Sequence, residues 1–367
     1  MRDARVEKVA DILVDYSLPV KRDDLVSIRG PYVAEPLILA LYQRCLERGA
    51  QPVVRASIPQ ASAYLYRFAE EHQLEFVWET DRWMTENLNA SFSILADTNT
   101  RQLSRIDPTR QQIATRARKP LLDRFFERSA AGELGWNLTM FPTEALAMEA
   151  EMSLDEYEEL YYGACLVDAE DPVAEWKKVA ARHERLISWI QGRNEVHLEG
   201  EGTDLILEVG GRTFLPADGK ENFPDGEIFT GPIEDKTRGH VTFSYPAIYG
   251  GHSVEGIELT FEAGRVVEAS ATKNEEYLIK SLDTDPGARV LGELGIGTNY
   301  GIEAFTGELL LDEKMGGTVH LAIGASYPES GGVNQSAVHW DMVCDLRRGG
   351  RVTVDGDALM EDGKLLV

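Results

Sequence analysis

Cysteine is scarce in this chain of 367 residues: only Cys45, Cys165 and Cys344 occur, with no C-x-x-C pair. That excludes a disulfide scaffold, a cysteine zinc motif and a dithiol redox site, and the thiols read as reduced packing residues. Long apolar runs are also missing. A stretch such as Leu37–Leu41 falls far short of the ~20 residues that span a bilayer. The opening Met-Arg-Asp-Ala-Arg-Val-Glu is charged and leads into an amphipathic segment, so no secretory signal is expected and a cytoplasmic location is. Positive charge is in short supply as well, with 37 Lys and Arg against 62 Asp and Glu, a formal net charge of −25. Binding to a phosphate backbone or an anionic membrane draws on cationic side chains, so neither nucleic acid nor membrane is an expected partner. The acidic excess serves either solubility or a salty cytoplasm, and composition does not separate the two. Absent too are H-E-x-x-H, G-x-S-x-G, a Walker loop and a strand-Gly-x-Gly-x-x-Gly-helix fingerprint, which removes support from zincin, α/β-hydrolase, nucleotidase and dinucleotide-binding readings.

What is present is an ordinary globular composition, 43% hydrophobic and 27% charged, long enough for two domains at about 150 residues each. The first half alternates helical and strand patterns. Val6, Val9, Ala10 and Leu13 repeat at helical spacing, Leu25–Arg29 reads as a strand, Leu37 to Leu46 as a helix, and 52–58 as the next strand. Residues 61–72 read as one helix, 92–95 as a strand, 109–128 as a long helix and 136–140 as a strand. Three further helical patterns follow, the strongest over 173–189. Such order favours a doubly wound parallel sheet. After Gly192 the period changes from 3.6 to 2, and segments near 196–199, 204–209, 240–245, 256–262 and 265–271 alternate between glycine turns, the pattern of antiparallel strands. One helix, 274–282, interrupts them. The fold class is therefore α/β: an N-terminal doubly wound α/β domain, 1–190, followed by a mostly antiparallel, β-rich α+β domain, 191–367.

Chemistry is concentrated in four Gly-rich segments of the second domain: Phe223–Thr230, Leu291–Asn299, Gly317–Gly324 and Ser336–Val343. His339 and Asp341 stand two apart, so on a strand they share one face. His320 and Glu293 are each isolated among apolar residues, and a carboxylate buried without a positive partner is costly. A metal ion supplies that partner, and mixed imidazole and carboxylate donors suit Zn, Co, Mn or Fe. A plainer alternative stays open at each position: a lone histidine in an apolar strand is usually a hydrogen-bonded core residue, and Glu227, after Asp225-Gly226, fits the exit of a turn.

The Pro-Asp-Gly-Glu-Ile-Phe-Thr, Gly-Glu-Leu-Gly-Ile-Gly-Thr-Asn, Gly-Gly-Thr-Val-His and His-Trp-Asp blocks, in this order and with a short tail, resemble the aminopeptidase T family of metallopeptidases. The resemblance covers essentially the whole chain. It implies a co-catalytic pair of divalent ions, Zn, Co or Mn, held by Glu227, Glu293, His320, His339 and Asp341. Glu293 would bridge the ions and is the candidate proton carrier. Tyr327 occupies the place of a tyrosine beside the metals and is the candidate donor to the oxyanion. Such a site would hydrolyse N-terminal residues from peptides with a free N-terminus, using water activated between two metals. The N-terminal half would wall the cavity and form a homodimer. Only 12 positions separate Tyr327 from His339, fewer than in longer family members, which bears on substrate length and side-chain preference. Two other classes remain open: a single-Fe(II), ring-cleaving dioxygenase of the 2,5-dihydroxypyridine type, which shares the fold family and a His-x-Asp pair, and a non-catalytic metal-stabilised dimer.

Overall fold

The computed structural model describes residues 3–367. The chain divides into two compact units: one runs to Ala174 and takes back Gly219–Phe223, the other comprises Glu175–Asp218 and Pro224–Val367.

The first unit is built on a parallel sheet in the order Gln51–Ser57, Leu25–Pro31, Ala90–Leu95, Gly135–Met140, Asn222–Phe223. The chain leaves Leu25–Pro31 through the helix Glu35–Glu47 and returns as Gln51–Ser57 on one side; Ala90–Leu95 then adds on the other. The direction of winding thus reverses between Leu25–Pro31 and Ala90–Leu95. Val26, Ile28 and Phe92 fill the core face, each fully buried, and each contributes roughly 1.5–3 kcal/mol by leaving water. The opposite face departs from the near-continuous apolar run usual in parallel strands: Leu-Val-Ser-Ile-Arg and Ala-Ser-Phe-Ser-Ile alternate, placing Ser27, Arg29, Ser91 and Ser93 there.

The helix expected over 61–72 is in fact two, Pro59–Phe68 and Glu71–Leu74. Ala69 turns extended, and Glu70 and Gln73 form a reciprocal capping box that starts the second piece. The pattern also gave no sign of Glu79–Asn87, a helix that buries none of its residues and so carries no apolar stripe. Cys45, Cys165 and Cys344 are free and buried, and no helix among the described residues is long and apolar enough to cross a membrane.

The second unit holds an eight-stranded and a five-stranded sheet, both antiparallel. The five-stranded sheet runs His339–Asp345, Thr318–Gly324, Leu291–Gly297, Glu227–Thr230, Leu215–Ala217. Leu294, Ile296, Val319, Leu321, Ile323, Trp340 and Met342 point to one face and join Leu205, Val241, Leu259 and Val352 of the larger sheet in one core. Leu186 and Ile190 of the helix Pro172–Ile190 join the same core. Strand alternation sends the intervening residues to the other face, where the chemistry lies.

Candidate metal centre

On the inward strands Leu291–Gly297 and Thr318–Gly324 every residue is buried, so the face away from the core is also shielded. Register then decides which side chains meet. Gly295 is paired with His320, Gly297 and Ala217 with Glu227, Ala322 with both Glu293 and Asp341, and Gly324 with His339. Each polar side chain therefore has glycine or alanine directly across at least one strand boundary. Gly295 is the tightest case, because a Cβ there would lie 1.9 Å from His320 Cε1. The absence of that carbon lets the imidazole lie over the neighbouring strand.

All five residues expected as ligands converge. His320 Nδ1 lies 3.3 Å from Glu227 Oε2, and its Nε2 lies 3.5 Å from Glu293 Oε1 and 3.9 Å from Asp341 Oδ1. His339 Nε2 lies 3.3 Å from Glu293 Oε2 and 3.5 Å from Asp341 Oδ1. Glu293 thus sits between the two imidazoles. His339 Nδ1 faces the Ala325 carbonyl at 2.9 Å and His320 Nδ1 faces that of Glu313 at 3.2 Å. An Nδ1–H donated to each carbonyl leaves Nε2 as a lone-pair donor aimed at the acids, the arrangement that orients metal-binding histidines.

Two residues that the sequence reading passed over complete the site. Glu313 forms with His320 and Asp341 a group whose donor atoms lie within 4.8 Å of one another, and Glu293, His339 and Asp341 form another. Asp341 is common to both. Lys314, buried at 1% exposure, donates to Glu227 Oε1 at 2.7 Å, also pairs with Glu313, and stands 3.8 Å from Asp225. The signal lay in Asp312-Glu313-Lys314, a charged triplet set just before Gly316-Gly317 and a fully buried strand.

Tyr327 lies in the loop between the His320 and His339 strands. Its ring meets His339 edge-on at 5.2 Å and Phe229 at 5.4 Å. The residue as a whole is 42% exposed, but partial desolvation of the phenol, reinforced by Glu293 and Asp341, pushes its pKa up, so it is an O–H donor at neutral pH.

The electrostatics are those of a cation site. The site gathers five carboxylates and one ammonium: Asp225, Glu227 and Glu313 lie against Lys314, and Glu293 and Asp341 against the histidines, a formal balance of −4 with both imidazoles neutral. Glu227 Oε2 and Asp341 Oδ1 are buried without a hydrogen-bond partner. Burial raises the Glu227 carboxyl to about 8, against the pull of Lys314 and His320. Burial opposes charge on His320 as well, yet Glu227, Glu293 and Asp341 overcome it and lift the imidazole to about 10. For His339 burial is likewise outweighed, by Asp341 and Glu293, and the pKa rises to about 11. Glu293, despite burial, is drawn down to about 2 by the two histidines. Groups that so hold protons in place of cations, with two oriented imidazoles and orphaned carboxylate oxygens, fit divalent metal.

Comparison with known proteins finds a metalloprotease family. The model of the thermophilic metalloprotease (M29) family matches residues 2–365. Aminopeptidase T of Thermus thermophilus is 29% identical, covering 98% of this chain and 95% of that protein. The solved structure of wild-type AmpT from Thermus thermophilus superposes with a TM-score of 0.84 at 24% identity, covering 99% of both chains. A more distant likeness, to 2,5-dihydroxypyridine dioxygenase from Pseudomonas putida, has a TM-score of 0.57 at 13% identity over 99% of this chain and 97% of that one. It shows a shared fold and nothing more.

Two outcomes follow from the site. Gly295→Ala should displace His320 and weaken metal binding by roughly tenfold or more while the fold persists; metal analysis after dialysis against graded chelator measures this, and undiminished metal content would refute the close-approach argument. The second concerns chelated protein. His320 and His339 hold protons up to about 10 and about 11 in the fold but only to 6.5 ordinarily, so their contribution is complete below pH 6.5 and is lost as pH rises towards those values. Glu227, raised from 4.5 to about 8, acts in the same direction. Glu293, lowered to about 2 from 4.5, contributes above 4.5 and loses it only in acid. The melting temperature in chelator should therefore fall from pH 6.5 to 9.5 more steeply than that of metal-loaded protein. Parallel profiles would contradict the assignment.

Proposed function

We propose that this chain, which belongs to the thermophilic metalloprotease (M29) family, removes N-terminal residues from peptides at a centre of two divalent ions held by Glu227, Glu293, His320, His339 and Asp341, with Glu313 as a further donor. It is a metal-dependent aminopeptidase, a hydrolase of peptide bonds. The observation that carries the two-ion reading is the pair of donor groups joined at Asp341, in a pocket whose formal balance of −4 equals the charge of two divalent cations. A single ferrous ion would leave half of that charge unmet, which disfavours the dioxygenase reading.

Bound there, divalent ions supply Lewis acidity: they lower the pKa of water, polarise the scissile carbonyl and anchor a free α-amine. The chain's own residues supply the rest. Glu293, held ionised between His320 and His339, accepts the proton from water and returns it to the leaving amine. Tyr327, protonated and beside His339, donates a hydrogen bond to the oxyanion of the tetrahedral intermediate. Lys314 holds Glu227 in place from the side and offsets part of the negative field. The Nδ1 contacts of both histidines keep their rings from rotating, so the donor set is ordered before substrate arrives.

A homodimer is part of the same reading. The helix Pro59–Phe68 buries only Pro59, and Ile58, Tyr64 and Phe68 are 61%, 61% and 72% exposed, an apolar surface suited to a second copy. Light scattering should give twice the chain mass, and Tyr64→Asp with Phe68→Asp should halve it. A wild-type monomer would remove this part of the proposal.

The catalytic reading is tested on a leucyl amide. Chelation should abolish its hydrolysis, Zn, Co or Mn should restore it, and the N-acetylated substrate should be nearly inert because it lacks a free amine. Glu293→Gln should bind one ion fewer and lose at least ~100-fold in rate while the protein still folds, since the substitution preserves volume. Full activity in chelator, or a wild-type rate in Glu293→Gln, would overturn the assignment. Oxygen uptake with a hydroxypyridine would transfer it to the dioxygenase class.

A further inference from the structure

The first unit contains a cavity of about 330 Å³ on the polar face of its parallel sheet. Ser27 and Arg29 from Leu25–Pro31, Arg55 from Gln51–Ser57 and Ser91 from Ala90–Leu95 form its floor. The helices Glu79–Asn87 and Pro108–Ala130 cover it, contributing Asp81, Arg118 and an apolar wall of Met84, Leu121 and Phe125. The floor lies beside the place where the winding reverses. Open α/β sheets characteristically bind ligands near the carboxyl ends of their strands at such a switch point. Arg29, near the end of its strand, is paired in register with Ser93 across that boundary.

Its charge is opposite to that of the molecule. Three guanidiniums face one carboxylate, that of Asp81, which Arg55 already engages at 2.5 Å. Among the described residues, Arg29 and Arg118 have no acidic partner: Arg29 Nε donates to Ser93 Oγ at 2.7 Å, and Arg118 donates to the Ala114 carbonyl of its own helix at 3.1 Å. In a chain of net charge −25, two unpaired arginines at one cavity are not explained by supply. The surrounding protein lowers the pKa of Arg29 through burial, with Arg55 adding repulsion, although the side chain keeps access to solvent; an anion would relieve both. Ser27 adds an independent sign. It is 1% exposed, lines the cavity, and its Oγ has no hydrogen-bond partner, an uncompensated desolvation for a buried polar group.

We propose that this cavity is a binding site, separate from the metal centre, for a small organic anion: a carboxylate or phosphate head held by Arg29, Arg118 and the Ser27 hydroxyl, on a compact apolar body packed against Met84, Leu121 and Phe125. Guanidinium groups bind both heads bidentately, and the apolar wall excludes a bare inorganic ion as the best ligand.

The test is calorimetric titration of the metal-loaded enzyme with 3-phenylpropionate, benzylphosphonate, the neutral 3-phenylpropan-1-ol and inorganic phosphate. Either organic anion should bind saturably, about tenfold or more tighter than the alcohol and tighter than inorganic phosphate; whichever is tighter identifies the head group. Arg29→Met and Arg118→Met should each weaken that binding about tenfold and leave leucyl amide hydrolysis unchanged. Arg118 is exposed on a helix surface, so its variant tests the site even where Arg29→Met impairs folding. Equal affinity for the alcohol, no saturable binding, or binding that survives both substitutions and disappears with the metal would overturn the proposal. So would a change of oligomeric state in Arg118→Met, which would assign the arginines to an acidic partner surface.

Discussion

The constraint on which the second unit depends is negative charge that water cannot reach. Glu227, Glu293 and Asp341 are buried on a sheet face, and each buried ion costs several kcal/mol even after relaxation, of order 20 in the idealised limit. Lys314 alone cannot offset five carboxylates. The chain has two ways to tolerate them: it can bind protons, as the raised pKa values of Glu227, His320 and His339 record, or it can bind cations. The same field that makes the folded site dependent on an added positive charge makes it a strong ligand for divalent metal. Stability and cofactor affinity are here one electrostatic quantity.

That quantity is fixed by strand register. The alternation that sends Leu294, Ile296, Leu321, Ile323, Trp340 and Met342 into the core sends Glu293, His320, His339 and Asp341 to the other face. A slip of one residue would drive imidazoles and carboxylates into hydrocarbon and expose the apolar set, so the hydrophobic core enforces the site's geometry more firmly than contacts within the site do. The small residues opposite the donors, Gly295, Gly297, Ala322 and Gly324, do the complementary work. They leave room for long polar side chains to turn over the sheet towards a common point instead of standing parallel to one another.

Much of this is legible in the sequence. His339-x-Asp341 announces a shared face by spacing alone, and isolated His320 and Glu293 stand out because charged groups in apolar strands need a reason. The change of period after Gly192 marks where antiparallel pairing begins. It does not reveal which core the preceding helix joins, since an amphipathic stripe states only that it must be buried somewhere; Leu186 and Ile190 go to the antiparallel side. Glu313 and Lys314 were harder. They lie between a four-residue helix, Leu309–Asp312, and a strand, where neither period applies, and a charged triplet in a loop normally faces water. Their burial is a tertiary fact, set by Glu227 arriving from a strand 87 residues away. The split of the helix near Ala69 and the unstriped helix Glu79–Asn87 escaped for the related reason that neither is shaped by burial.

A scaffold of this kind does not choose its reaction, because the same arrangement of strands is shared with a protein of different chemistry and fold underdetermines function. The choice is made by the count and placement of charges. A His-x-Asp pair with one further acid would satisfy a single ion and leave open positions for oxygen and an aromatic diol, as facial triads do. Here the carboxylates continue beyond that need. Glu227 and Glu313 extend the acidic surface past His320, Glu293 lies between both imidazoles, and Asp341 serves both donor groups. Each added acid is costly to bury, and Lys314 offsets only part of that cost through Glu227 and Glu313. On the two-ion reading proposed above, a second cation would offset them, and two cations beside a protonated tyrosine would form a hydrolytic centre rather than an oxidative one.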